Sequence, residues 1–279
     1  MSRYDFRTPR LYVDVPLAAG AAVALDGGQA NYLGNVLRLN AGDAVLVFNG
    51  RDGEWRATLA GAKRKLSLTV EERTREQTRA LDLHYLFAPL KHARLDYMVQ
   101  KAVEMGAARL QPVITRHGQV ARVNLERMRA NAIEAAEQCG ILTLPEVCAP
   151  LSLERAIAAR EPGRLLVFCD EDAQVKDPVA ALAAARAALA SEASGQRGHS
   201  ISARAPDTRP EPGSSARAAG PMPLAVLIGP EGGFAADERA ALLALPNVVR
   251  LALGPRILRA DTAAVAALAL VGAVLGDWR

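Results

Sequence analysis

Two hydrophobic periodicities divide the chain. Over residues 1–76 the apolar positions form short or alternating runs: Leu11–Val15, Ala22–Leu25, Ala44–Phe48, Trp55–Leu59 and Leu66–Val70. Glycine and aspartate punctuate them at Gly20, Asp26-Gly27-Gly28, Gly42-Asp43 and from Gly50 to Gly53. Short strands at this spacing predict a small β-barrel. From residue 77 onward, strand and helix patterns alternate. Leu81–Leu90 reads as a strand. Arg94–Met105 reads as a helix, with Leu95, Met98, Val99, Ala102 and Val103 on one face and Gly106 as its stop. The series continues with Leu110–Ile114 (strand), Leu125–Gln138 (helix), Leu165–Cys169 (strand), Pro178–Ala190 (helix) and Ala225–Ile228 (strand). It closes with Asp237–Leu243 (helix), Val248–Leu253 (strand) and Thr262–Leu275 (helix). Such alternation predicts an α/β domain over residues 77–279, with a parallel sheet covered on both faces.

One stretch interrupts this pattern. Ser191–Pro221 is rich in Ser, Gly, Ala, Pro and Arg and has almost no bulky apolar residues, so it is expected to be a flexible insertion. Lys63-Arg64-Lys65 forms a basic cluster between two expected strands.

Composition narrows the function classes only slightly. Half of the 279 residues are hydrophobic, enough for an enzyme core plus a smaller module. The net charge of +4 favours a polyanionic partner without demanding one. Cys139, Cys148 and Cys169 lack zinc-type spacing, so buried thiols are expected rather than a disulfide framework or a metal site. Met1–Arg10 carries three arginines with no apolar run of signal-peptide length behind them. The longest apolar stretch, Ala263–Leu275, falls short of the roughly 20 residues that span a bilayer. A soluble, cytoplasmic protein that does not enter membranes is expected.

Several common chemistries are absent from the sequence. It has no G-x-x-x-x-G-K-S/T, no G-x-G-x-x-G after a strand and no H-E-x-x-H. His84, His92, His117 and His199 do not cluster and read as surface or packing residues. Two positive features remain. The expected strand Ala225–Ile228 runs into Gly229-Pro230-Glu231-Gly232-Gly233-Phe234, and Val248–Leu253 runs into Gly254-Pro255-Arg256-Ile257-Leu258-Arg259. Glycine lets a ligand approach the backbone closely, proline sets the bend, and ligands of open α/β sheets sit beyond the carboxyl ends of strands. Arg256 and Arg259 precede the last helix, which Thr262 could cap, and suit an anionic or developing negative charge. The alternatives are a sharp turn with no ligand and arginines paired with surface acids.

With its other motifs, the chain resembles the 16S ribosomal RNA (uracil-N3)-methyltransferase family of the SPOUT class. The G-P-E-G-G of that family stands here as Gly229–Gly233 and its L-G-x-R-I-L-R as Leu253–Arg259. K-x-x-E-x-G appears as Lys101, Glu104 and Gly106, and A-x-E-Q as Ala135 and Ala136, Glu137 and Gln138. Arg10-Leu11-Tyr12-Val13 and the V-L-R-x-x-x-G pattern of Val36–Arg38 and Gly42 complete the likeness. The chain departs from the family at Ala260-Asp261, where R-T-E-T-A is usual, and at Gly140-Ile141-Leu142, where an arginine is common.

The resemblance implies a C-terminal α/β trefoil-knot domain, an N-terminal PUA-like RNA-binding barrel and a homodimer with the last helix in its interface. It implies that S-adenosylmethionine is held by backbone groups of Leu227, Ile228, Gly229, Pro230, Gly232 and Gly233 and of Leu253, Gly254, Ile257 and Leu258, and by Thr262. Methyl transfer to N3 of a uracil in 16S rRNA of the small ribosomal subunit would use Arg259 to stabilise the uracil anion, with Arg10 as an RNA-facing partner. Glu231 is the candidate general base, with a structural role at the turn as its alternative. Arg38, Arg51, Lys91 and Arg116 would contact phosphates. Two other readings stay open: a SPOUT enzyme acting on tRNA or a ribose hydroxyl, and an RNA-binding protein with a vestigial cofactor site.

Overall fold

The structure is a computed structural model and describes residues 5, 7–62, 65–91, 93–120, 122–174, 177–197 and 222–278. Lys63, Arg64, His92, His199 and residues 198–221 of the expected insertion lie outside the described residues. The chain divides into two compact units. The first comprises Met1–Ala80, Lys91–Leu110 and Arg122–Ala149, and the second comprises Leu81–Leu90, Gln111–Ala121 and Pro150–Arg279.

In the first unit, strands β1 (Arg10–Tyr12), β2 (Ala22–Ala24), β3 (Ala44–Phe48), β4 (Glu54–Ala62) and β5 (Lys65–Arg75) form a sheet in the order β1-β3-β4-β5-β2. β1 runs parallel to β3 and the other pairs are antiparallel. Alternate residues of all five strands, among them Leu11, Val23, Val47, Leu59 and Leu68, share one core, which gives the curled, barrel-like sheet that the alternation predicted. β4 and β5 extend well past their apolar runs. Their outer face is polar and solvated, so apolar counting alone stops short.

Asp26-Gly27-Gly28, expected to be a turn, instead begins helix α1 (Gly27–Asn31), which continues into a π-helical turn, Tyr32–Val36. The Asp26 side chain accepts from the Gln29 N–H at 2.8 Å, and Gln29 Oε1 accepts from the Asp26 N–H at 3.1 Å. This capping box was readable as Asp-x-x-Gln, but the helix is too short to show a period. Leu33 of the π turn plugs the core.

Helices α2 (Ala93–Glu104) and α3 (Leu125–Cys139) pack on each other within the first unit. Met98, Val99, Ala102 and Val103 are buried, as their spacing predicted. α3 is capped by Asn124 and ends at Gly140 in the left-handed region, φ 62°. Its Glu137 reaches the edge of β1, where Oε1 accepts from the Tyr12 N–H at 2.8 Å. Arg10 departs from its expected RNA-facing position. Its guanidinium, 5% exposed, donates to Glu54 at 3.0 Å, and Arg75 joins the same carboxylate at 3.3 Å. A charge this deeply buried needs a partner, and the barrel supplies one.

The second unit is layered around parallel strands β6 (Leu83–Phe87), β10 (Leu165–Cys169), β11 (Leu224–Ile228) and β12 (Val248–Leu251), in the order β12-β10-β11-β6. β7 (Arg109–Ile114) follows β6. Its last residues pair with β9 (Leu151–Ser152), while its first two residues belong to the first unit and pair there with β8 (Glu146–Val147). β11 is buried along its whole length. α4 (Leu153–Ala158) and α6 (Ala236–Leu243) pack together, and α5 (Pro178–Arg197) and α7 (Ala260–Val274) likewise pack together. α5 runs to Arg197, so residues 191–197 of the expected insertion are helical. α4 was not foreseen; its signal is Ser152, whose side chain accepts from the Arg155 N–H.

Burial pushes the Glu137 carboxyl up to about 7, against the lowering effect of the Tyr12 N–H and with added repulsion from Glu134. The folded value lies above the unfolded one of about 4.3, so the stability this group contributes is complete at acid pH and is lost as pH rises through about 7. Urea melts of the chain are expected to show unfolding free energy falling between about pH 5 and 8, with Glu137→Gln flattening that slope. An unchanged slope in the variant would assign the dependence to other groups.

Candidate active site

Three strand exits of the second unit converge. β11 leads into Gly229–Phe234, β12 into Ala252–Arg259 and β10 into Asp170–Asp172. β10 lies between β11 and β12, so the chain leaves β11 and returns beyond its neighbour. A crevice at the carboxyl ends of strands belongs where strand order reverses in this way. The cavity there has a volume of about 310 Å³.

Of the expected cofactor residues, Ile228, Gly229, Pro230, Gly232, Gly233, Leu253, Gly254, Ile257 and Leu258 line the cavity, as does Glu231. Leu227 does not; its side chain is in the core with Phe168 and Phe234. Thr262 is exposed within the first turn of α7 and does not cap it. The N-cap is Arg259, which makes no side-chain cap bond. Arg259 is exposed, next in sequence to the lining residues Leu258 and Ala260. Among the described residues, neither Arg256 nor Arg259 is held in an ion pair.

The remaining expected residues are elsewhere. Arg10, Arg38, Arg51 and Lys91 belong to the first unit. Arg38 is exposed and adopts φ 58°, a conformation rare for a side-chain-bearing residue. Arg51 is exposed and pairs loosely with Asp14 at 3.4 Å, and Lys91 is exposed. Arg116 is in the second unit, with its guanidinium on Asp237 at 2.6 Å.

The glycines of the β11 exit have protein neighbours as well as a cavity. A side chain at Gly229 would stand 2.9 Å from the Phe234 ring, and one at Gly232 3.2 Å from Cβ of His117. At Gly233, where φ is 67°, it would collide with the Glu171 carboxylate. The turn is closed by the Gly233 N–H donating to the Pro230 carbonyl at 2.9 Å. Phe234 anchors its end edge-on against Phe168, ring centroids 6.1 Å apart.

The sequence reading missed the β10 exit. Asp170 is buried and accepts from Arg239 of α6 at 2.7 and 3.1 Å and from Arg250 of β12 at 2.9 Å. Burial alone would raise its pKa. The bonds from Arg239, the Asp172 N–H and Arg250 outweigh it and hold the carboxyl below the usual range. Glu171 and Asp172 also turn toward Arg239, at 3.7 and 3.1 Å. Burial pushes the Cys169 thiol up to about 12, helped by the neighbouring Asp170 charge, so this wall residue stays protonated. Asp170→Asn strands two guanidinium groups against a neutral amide. It is expected to lower unfolding free energy by about 3 kcal/mol in urea melts. A loss below about 0.5 kcal/mol, the range of ordinary surface changes, would show that solvent satisfies the arginines.

Comparison with known proteins places this geometry. A protein of Rickettsia conorii named ribosomal RNA small subunit methyltransferase E is 27% identical over 94% of both chains. A solved structure from Legionella pneumophila, described as a methyltransferase in complex with the bound cofactor SAM, is 26% identical with a TM-score of 0.73. The match covers 97% of this chain and 99% of that one. The fold is also that of a ribosomal RNA small subunit methyltransferase E from Neisseria gonorrhoeae bound to S-adenosyl methionine, with a TM-score of 0.76 at 23% identity over 98% and 100% of the two chains. Residues 25–72 match the RNA methyltransferase PUA domain, the part of the first unit that holds most of its curled sheet. Residues 77–194 and 206–272, which hold all three strand exits, match the RNA methyltransferase domain, and the chain belongs to that family.

Proposed function

We propose that the chain transfers a methyl group from S-adenosylmethionine to N3 of a specific uracil in the 16S rRNA of the small ribosomal subunit. The observation that carries this reading is the glycine-walled cavity at the β10, β11 and β12 exits, with Arg256 in its wall and Arg259 beside it. The names of the relatives support a ribosomal substrate. The uracil rests on the family motifs Gly229–Gly233 and Leu253–Arg259.

The cavity suits a sulfonium methyl donor on its own chemistry. Leu251, Leu253 and Leu258 offer apolar wall for a flat base, and the glycine turn offers close access to backbone groups. Its thiol, Cys169, is held protonated and is therefore no competing nucleophile for a methyl group. S-adenosylmethionine supplies a methyl group already activated on sulfur, which leaves positioning and proton removal to the protein. Uracil N3 is a poor nucleophile until its proton leaves, and the charge then spreads to the ring oxygens. Arg259, exposed and free of an ion pair, can stabilise that charge. Glu231, in the cavity wall, is our candidate to take the proton. A base inside a helical stack must be turned out before reaction. Residues 1–76 would serve as the RNA-binding barrel and 77–279 as the methyltransferase domain, with the trefoil knot of its class. Arg38, Arg51 and Lys91 would meet phosphates.

Among the described residues, no helix is long and apolar enough to cross a membrane, and we place the protein in the cytoplasm with its RNA. We also propose a homodimer through α7. One face of this helix buries Ala264, Ala267, Leu268 and Val271, while Val265, Ala269 and Leu270 leave a second apolar face half-buried. Sedimentation equilibrium is expected to give a dimer, and a monomer at all concentrations would remove this proposal.

With labelled S-adenosylmethionine and small subunits lacking the modification, label is expected at N3 of a uracil. No incorporation by folded protein would overturn the assignment. Arg259→Ala is expected to keep cofactor affinity in calorimetry and to lose turnover by about 10²–10³-fold. Unchanged turnover would remove Arg259 from the chemistry.

A further inference from the structure

We infer that His117 is a positioning residue for the methyl-donor site: it clamps the glycine turn Gly229–Gly233 in the shape that receives the cofactor. The inference rests on the reading of the cavity proposed above. The histidine is on the loop Thr115–Gly118 that follows β7, and its Nδ1 is 3.1 Å from the Gly232 carbonyl oxygen and 3.2 Å from that of Gly233. Carbonyl oxygens only accept, so Nδ1 must carry the hydrogen.

The loop that carries the clamp is tied to α6. The Arg116 N–H donates to Glu238 Oε1 at 2.8 Å, and the Arg116 guanidinium donates to Asp237 at 2.6 Å. Glu238 Oε2 accepts from the Ala235 N–H at 2.9 Å, at the N-cap of α6. The loop after β7 is thus fastened to the start of α6, immediately beyond the glycine turn, and His117 reaches back from there. Its Cβ also lies over Gly232, where any side chain would crowd it at 3.2 Å.

The turn needs such a partner. It contains three glycines, and the bond from the Gly233 N–H to Pro230 is its own closing contact. Glycines widen the range of conformations that a free turn samples. Fixing the Gly232 and Gly233 carbonyls also fixes the N–H directions of Gly233 and Phe234, because each peptide is planar and trans. A ligand binds with an affinity reduced by the fraction of molecules in the receptive shape. If that fraction falls from near one to about a fifth without the clamp, the Kd rises about fivefold.

The test is calorimetry of the full chain with S-adenosylmethionine, alongside thermal unfolding. His117→Ala is expected to raise the Kd about fivefold at an unfolding midpoint close to wild type. His117→Asn keeps an N–H donor near the Nδ1 position and is expected to restore the Kd to within about twofold. An unchanged Kd in the alanine variant, or an asparagine variant no better than alanine, overturns the inference. If wild type itself does not bind S-adenosylmethionine, the cavity reading fails. Hydrogen exchange at Gly229–Phe234 then decides the clamp: faster exchange in His117→Ala supports it, and unchanged exchange overturns it.

Discussion

One buried carboxylate holds the site in register. Asp170 directly follows β10 and accepts from Arg239 on α6 and Arg250 on β12. Every other wall segment is carried by an element in this triad or directly continuous with one. The glycine turn leads into α6, and the Leu253–Arg259 segment leaves β12. Without Asp170 the β10 exit would lose its bond to Arg250, and the looser contacts of Glu171 and Asp172 would be left to hold Arg239. The two guanidiniums are about a quarter exposed while Asp170 is fully covered, so the acid bears the greater desolvation and its partners are indispensable to it.

The parts of this site that were legible in the sequence are those whose signal is local. Gly229-Pro230 and Gly254-Pro255 each follow an apolar strand, and both exits were found from that pattern. β10 ends in Cys169-Asp170-Glu171-Asp172, which has no glycine and reads like solvated acids. Its role depends on partners 69 and 80 residues further on, a separation that no window of local pattern spans. His117 was passed over for the same reason, since its partners in the glycine turn are 115 and 116 residues away. Arg10 failed in the opposite direction. The family resemblance implied an RNA-facing role for it, but Glu54, 44 residues on, takes its charge inside the barrel.

The fold itself was readable wherever burial imposes a period. Apart from the two-residue strands β8 and β9, the strands of both units and the face of α2 follow from apolar runs and from the spacing of Met98, Val99, Ala102 and Val103. Elements held by capping rather than by an apolar stripe escaped: α1 behind Asp26 and α4 behind Ser152. β12 ended two residues earlier than its apolar run, and the surplus residues Ala252 and Leu253 became cavity wall. An apolar residue past the last ladder bond serves a ligand's surface as readily as a protein core.

The glycines of the β11 exit invite a different view of sequence change in this site. Each occupies a space completed by one large neighbour: Gly229 by Phe234, Gly232 by His117 and Gly233 by Glu171. At position 232 the crowding atom is Cβ of His117, which every residue but glycine keeps, so among changes at 117 only His117→Gly removes it. At position 229 the crowding atoms are the far ring carbons of Phe234, so there the neighbour outside the motif must shrink before the glycine inside it can change. For Gly233 that order offers no release, because its positive φ remains after Glu171 has gone.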